Sequence, residues 1–268
     1  MILVDTHCHL QDERFVADLD AVLAAARREG VARVVVCGYD EPSNAAALRL
    51  AATADSVLPA VGFHPHEART VTPAMLDALK ALAGRDEVVA VGEIGLDFHY
   101  NLSPRTDQFR VLEAQLEIAL TAGKPVSVHS RAAEAELLVP LRQFAARAAG
   151  ARPPGVLHCF GGTLEQALPY VEAGFLVSLA CPVTYPRNEE TRRLAADLPL
   201  DSLVVETDSP YLPPQGKRGE RNEPANVVVA AAAVARARGI AVEEVAAATT
   251  RNACRLFGIA IPEEVAAW

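Results

Sequence analysis

Eight short apolar runs, separated by stretches with helical spacing, set the tightest limit on what this chain can fold into. They span residues 2–7, 33–38, 57–63, 88–93, 125–129, 155–158, 175–179 and 203–208. All are rich in Val, Ile or Leu, as strands covered on both faces should be. Between them, Ala/Leu/Arg/Glu stretches at 14–29, 73–82, 104–122 and 134–149 carry helical periodicity. Pro73 and Pro104 follow Thr72 and Ser103, the pattern of a helix-starting proline behind its N-cap. Gly30, Gly123, Gly150, Gly174 and Gly239 follow helical runs as C-cap candidates. Strict alternation over eight rounds requires a parallel sheet, and eight strands close most naturally into a (β/α)8 TIM barrel. Two more helical stretches, 224–239 and 242–257, follow the last strand, so this α/β barrel gains an additional C-terminal helix. With no linker or composition shift in its 268 residues, the chain reads as one barrel domain, 1–268.

Composition narrows the partners. A net charge of −9 argues against coating nucleic acid by bulk electrostatics. It leaves room for an enzyme that grips phosphate through metal ions and a few local Arg and Lys side chains. The five cysteines are scattered and never form a CxxC pair, which fits free thiols in a reducing compartment. No run of about 18 uncharged apolar residues is present, so no membrane span is expected. The start, MILVDTHCHL, lacks the features of a signal peptide, and the expected location is the cytoplasm.

The unusual polar residues fall at the ends of the apolar runs. His7 and His9 lie at the end of the first, Glu93 of the fourth, His129 of the fifth, His158 of the sixth and Asp208 of the eighth. The carboxyl ends of the strands carry the active site in parallel α/β barrels. Six candidate ligands therefore meet on one rim, and a random scatter of seven histidines would not put four there. A single histidine ending a buried strand is more often a hydrogen-bonded core residue, and His-x-His alone is a moderate signal. Several buried titratable groups together are costly unless paired or metal-bound. Alternation along a strand sets His7 and His9 on one face with Cys8 opposite, and His158 inward with Cys159 toward the helices.

Mixed imidazole and carboxylate donors fit Zn, Mn, Co or Fe, with Mg open if carboxylates dominate. We expect two divalent metal ions, with His7, His9, Glu93 and Asp208 around one and Glu93, His129 and His158 around the other. Two such ions clamp the attacking and leaving oxygens of an in-line displacement. Asp208 is placed to take the proton of the attacking water, which makes Glu93 and Asp208 the catalytic pair.

The motifs DTHCH, GFHPH (62–66), GEIGLDFHY (92–100), VHSR (128–131), HCFGG (158–162), ETDSPYL (206–212), RNEP (221–224) and TTRNACRLF (249–257) resemble the TatD-like metal-dependent deoxyribonucleases. The resemblance runs through nearly the whole chain in family order. It implies a (β/α)8 barrel of the amidohydrolase superfamily, divalent-metal dependence and exonuclease action on DNA. The family's ligands carry over onto His7, His9, Glu93, His129, His158 and Asp208. Two departures bear on substrate: Ala132 stands where the family commonly has an acidic residue, and Gly219-Glu220-Arg221 where it often reads Gly-Lys-Arg. Lys217 and Arg218 upstream can offset Glu220.

His64, Arg131 and Arg221 are the candidates for substrate phosphate. A loop-shaping role fits His66 equally well, and a place opening the next helix fits Arg131 equally well. Asp5 and Glu206, inward by strand parity, are expected to orient the ligating histidines. Tyr100 and Tyr211 sit on long loops where they can stack on a base or simply pack. The expected partner is DNA, with RNA possible. A metal-dependent ester or amide hydrolase, such as a deacylase of charged tRNA, is the second reading, and a metal-bearing scaffold the third. GxSxG, P-loop and HExxH motifs are absent.

Overall fold

A computed structural model of the chain describes residues 1–148, 150 and 152–260, so Ala149, the last residue of the stretch expected at 134–149, lies outside the described residues. The strands are β1 (Leu3–Cys8), β2 (Val31–Cys37), β3 (Val57–Val61), β4 (Ala90–Asp97), β5 (Val126–Arg131), β6 (Gly155–Leu157), β7 (Leu176–Leu179) and β8 (Leu203–Val205). They pair in parallel in chain order. A single bridge between Cys8 and Ser209 brings the two ends of the sheet together. The helices between strands are α1 (Leu19–Arg28), α2 (Glu41–Ala51), α3 (Pro73–Ala83), α4 (Arg105–Ala122), α5 (Glu134–Arg147), α6 (Leu164–Glu172) and α7 (Glu189–Asp197), followed by α8 (Val227–Arg238) and α9 (Val242–Phe257). The fold is the expected (β/α)8 barrel with an added C-terminal helix.

Two apolar clusters fill it. The larger lies between strands and helices, where Leu3, Cys8, Val34, Val36 and Ile94 meet helix residues such as Val22, Leu79 and Leu112. The smaller joins Val4, Val35, Ala60, Val156 and Val204 of the strands to Ala253, Leu256 and Phe257 of α9. The additional helix thus completes the barrel interior. Its Asn252 amide donates to the carbonyls of Leu200 and Leu203, and Thr250 Oγ1 to that of Ile2.

Local chemistry moved several expected boundaries. The helix expected at 14–29 starts only at Leu19, after a separate short 3-10 helix at Glu13–Phe15 capped by Asp12, and its cap residue Asp18 gives its carboxylate to Arg221. Thr72 caps α3 ahead of Pro73 as expected, accepting from Met75 N. Ser103 does not cap α4: its hydroxyl donates to His66 O and accepts from Arg69 N, and Pro104 itself is the cap residue. Gly123 and Gly239 close α4 and α8, whereas α1, α5 and α6 end on Glu29, Ala148 and Ala173, just before the expected glycines.

Two strand ends matter for the site. β4 does not stop at Glu93 but runs on to Asp97. Gly95 lets it do so: its φ is +146°, and a Cβ there would stand 1.9 Å from the carbonyl oxygen of His129. β8 ends at Val205, which leaves Asp208 on the following loop in a left-handed conformation at φ 56°.

Candidate metal centre

The six rim residues converge on the Glu93 carboxylate, whose two oxygens face different groups. Oε2 lies 3.4 Å from His7 Nε2 and 3.5 Å from His9 Nε2. These nitrogens are 3.2 Å apart and stand 3.9 and 3.6 Å from Asp208 Oδ1. Oε1 lies 2.9 Å from both His129 Nδ1 and His158 Nε2, which are 3.3 Å apart. Donors about 2.1 Å from a tetrahedral ion would be spaced by about 3.4 Å, so both groups have the dimensions of an ion's ligand shell. Groups of these side chains within ligating range of one another include His7 with Glu93 and His158, and His7 with His9 and Asp208.

Protons sharpen this fit. His9 Nδ1 is 2.9 Å from the carbonyl oxygen of Cys37, which can only accept, so the ring proton sits there and Nε2 turns a lone pair inward. The Glu206 carboxylate takes the proton of His158 Nδ1 at 3.2 Å, and Asp97 Oδ2 that of His129 Nε2 at 3.2 Å. In the neutral rings the inward nitrogens are therefore lone-pair donors aimed at a carboxylate. Acceptors facing acceptors at 2.9 Å repel unless a cation or extra protons lie between them, and the residues present fit divalent cations.

His64 behaves differently. The backbone N–H of His66 donates to its Nδ1 at 3.1 Å, which places the ring proton on Nε2, 3.4 Å from Glu93 Oε1. Although His64 lies within ligating range of Glu93 and His129, this tautomer makes it a hydrogen-bond donor into the site. Burial pushes its pKa down to about 4, so the ring is neutral at physiological pH. Burial also pushes Glu93 and Asp208 upward. Surrounding imidazole charge, led by His158, overcomes it for Glu93, and the His9 hydrogen bond with His158 and His7 does so for Asp208; both end below their ordinary values.

Asp97 is the residue that sequence reasoning missed. Fully buried, it accepts from His129, from His66 Nε2 at 2.9 Å and from the backbone N–H groups of His99 and Tyr100. Burial pushes its carboxyl up, but the bonds from His129, the Tyr100 backbone and His66 hold it well below the usual range. The signal was available, since Glu93, Gly95 and Asp97 alternate along one strand.

The supporting acids divide. Glu206 meets His158 as expected. Asp5 does not reach a histidine ring: its carboxylate accepts from Thr207 N at 2.9 Å and Thr207 Oγ1 at 2.6 Å, bracing the segment that carries Asp208. A register irregularity between Asp5 and Cys8 breaks the alternation that parity assumed. Burial pushes the Asp5 pKa up to about 8. Asn222 of the RNEP motif braces the same segment, donating to Thr207 O and Leu212 O.

Above the centre opens a pocket of about 890 Å³. Arg131, on the His129 side of β5, lines it, with its guanidinium 4.7 Å above the Tyr100 ring. Tyr100 and Tyr211 stand half-exposed on the rim, joined by Tyr39, which sequence reasoning passed over although it lies two residues past the end of β2. Cys159, expected against the helices, lines the pocket instead, because the chain turns after β6 and gives it a φ of 41°. Arg221 is not in the pocket. It forms a two-pronged ion pair with Asp18, bonds to Glu223 and stacks over Phe15. Lys217 is likewise engaged, by Asn226 Oδ1 at 3.0 Å.

Lone-pair imidazoles and carboxylates gathered at the carboxyl rim of a (β/α)8 barrel define a metal-dependent hydrolase. The profile of the TatD related DNase family matches residues 4–258. The chain belongs to that family. It is 36% identical to the uncharacterized metal-dependent hydrolase YabD of Bacillus subtilis, over 96% of this chain and all of that one. Identity to the 3'-5' ssDNA/RNA exonuclease TatD of Citrobacter koseri is 35%, over 96% of this chain and all of the relative. The crystal structure of YjjV, a TatD homolog from Escherichia coli, superposes with a TM-score of 0.90 at 33% identity, covering 96% of this chain and 98% of that one.

Proposed function

We propose that the chain removes nucleotides from the end of single-stranded DNA by hydrolysing the terminal phosphodiester, with His7, His9, Glu93 and Asp208 holding one divalent cation and Glu93, His129 and His158 a second. The observation that carries this reading is the split Glu93 carboxylate, with oriented lone pairs gathered at each oxygen. The relative named as a 3'-5' ssDNA/RNA exonuclease supports this substrate class. When bound, the cations contribute Lewis acidity and positive charge to an in-line displacement at phosphorus.

The chain's own groups do the rest. Asp208 accepts a proton of the attacking water as the water oxygen bonds to phosphorus and the ester P–O bond breaks, and that proton is passed on to the departing ester oxygen. The Nε2–H of neutral His64 donates to a non-bridging phosphate oxygen beside Glu93. Arg131 supplies a second, charged donor from the pocket wall. Tyr100, Tyr211 and Tyr39 offer ring faces for the base of the departing nucleotide.

The test is metal-supplemented turnover on 5′- and 3′-labelled single-stranded DNA, with Glu93→Ala and Asp208→Ala as controls. Stepwise loss of end nucleotides by the wild type alone, stopped by chelator, is the expected result, and the labels give its direction. A metal-loaded wild type that leaves every DNA and RNA end intact overturns the reading and turns attention to acyl esters.

A further inference from the structure

Beside the pocket, between the segments that follow β7 and β8, lies a cleft of about 510 Å³ that shares Tyr185 and Asn188 with it and adds Arg187, Gln215 and Arg218 to its wall. Both arginines are exposed, and neither joins an ion pair among the described residues. Arg218 lies 4.7 Å over the Tyr185 ring, which is itself pinned by a 2.7 Å hydrogen bond from its hydroxyl to Pro213 O. Their basic neighbours Lys217 and Arg221 are engaged by the protein, so Arg187 and Arg218 are the uncommitted charges here. Among the described residues no carboxylate lines this cleft. The opposite side of the barrel is mixed: Glu67, after β3, and Glu134, after β5, line the pocket there together with Arg131 of β5.

Guanidinium groups present planar, two-pronged donors suited to phosphate, and an aromatic face beside them suits a base whatever its sequence. A backbone bearing one negative charge per nucleotide is drawn into the arginine-lined cleft, whereas on the other side Glu67 and Glu134 offset the attraction of Arg131. We infer that a bound single strand leaves the metal centre through the cleft between the β7 and β8 segments, with Arg187 and Arg218 holding backbone phosphates of the part not yet cut. The inference rests on the nuclease reading and adds to it the path of the strand.

The experiment compares the full-length wild type with Arg187→Ala/Arg218→Ala. Labelled oligo(dT) of about a dozen nucleotides is titrated in chelator and followed by fluorescence anisotropy over a salt series. The variant should bind about tenfold more weakly at low salt, and its slope of log affinity against log salt should be shallower by about 1.4, or about 0.7 per lost phosphate contact. Arg187→Lys/Arg218→Lys should restore most of the slope, which a merely structural role would not predict. With metal added, the loss of turnover on oligo(dT) should exceed any loss on the small diester bis(p-nitrophenyl) phosphate by the same factor. If the wild type degrades oligo(dT) while the alanine variant binds it with equal affinity and slope, the strand path is wrong and the nuclease reading stands. If the metal-loaded wild type leaves oligo(dT) intact, the nuclease reading fails and the strand path loses its basis.

Discussion

The two sides of Glu93 collect donors of similar spacing but back them differently. On the Oε2 side, His9 rests on a backbone carbonyl and His7 Nδ1 lies 3.3 Å from the hydroxyl of Ser127, both neutral partners, while the second negative charge comes from Asp208 itself. On the Oε1 side no further carboxylate points inward among the described residues. Its charge stands one layer back, in Glu206 behind His158 and Asp97 behind His129. A carboxylate behind an imidazole fixes its tautomer and raises its basicity more than a neutral acceptor does. Asp208 therefore remains the one flanking carboxylate with an oxygen in the reaction space, while Asp97 and Glu206 can only act through a ring. Under the proposed function the difference supports a division of labour, with the Oε1 side suited to holding a cation and the Oε2 side to proton chemistry beside one.

Replacing the shared residue should do the most damage. Glu93→Ala removes a ligand from both sides, so turnover should vanish and the metal content measured by plasma mass spectrometry should fall below that of any single-side variant. A Glu93→Ala protein that keeps its full metal content would break the picture of one carboxylate serving two sides. Asp208→Asn comes next. It keeps the volume but removes the proton acceptor, and kcat should drop by about 10²–10⁴-fold while the Oε1 side still retains metal. Loss of all metal in Asp208→Asn would show that the sides are not separable. Glu206→Gln and Asp97→Asn form the third tier. Each should weaken metal retention by about 10–100-fold in chelator competition, with kcat at saturating metal much less affected. Equal loss in kcat at saturating metal would move these acids from positioning into the chemistry.

How far the sequence foretold this site depended on the regularity of each strand. His7, His9, Glu93, His129, His158 and Asp208 were legible because each stands at or just past the end of an apolar run, where a parallel barrel puts its chemistry. Asp97 was hidden by Gly95, which reads as a loop signal although it marks the close approach of two strands. Asp5 was misassigned because a register irregularity cannot be seen in residue alternation. The role of Arg221 depended on a partner, Asp18, that lies 203 positions away in the chain. Nothing in the local sequence separates an arginine spent on such an ion pair from one, such as Arg131, that joins no ion pair among the described residues.

The smallest effect is the most discriminating. Ser127 is fully buried and bonds His7 through its hydroxyl alone, so Ser127→Ala leaves the Cβ in place and removes one neutral hydrogen bond. Such a bond contributes about 1 kcal/mol, which corresponds to about fivefold in metal affinity if all of it reaches the ligand. The companion Glu206→Gln also keeps a hydrogen-bonding atom near His158 but cancels a charge, and should cost more in the same chelator competition. A clear gap between the two variants would tie the difference between the sides to the charge behind the imidazole. Equal losses would mean that ring orientation alone matters, and that a serine hydroxyl and a carboxylate are interchangeable behind these histidines.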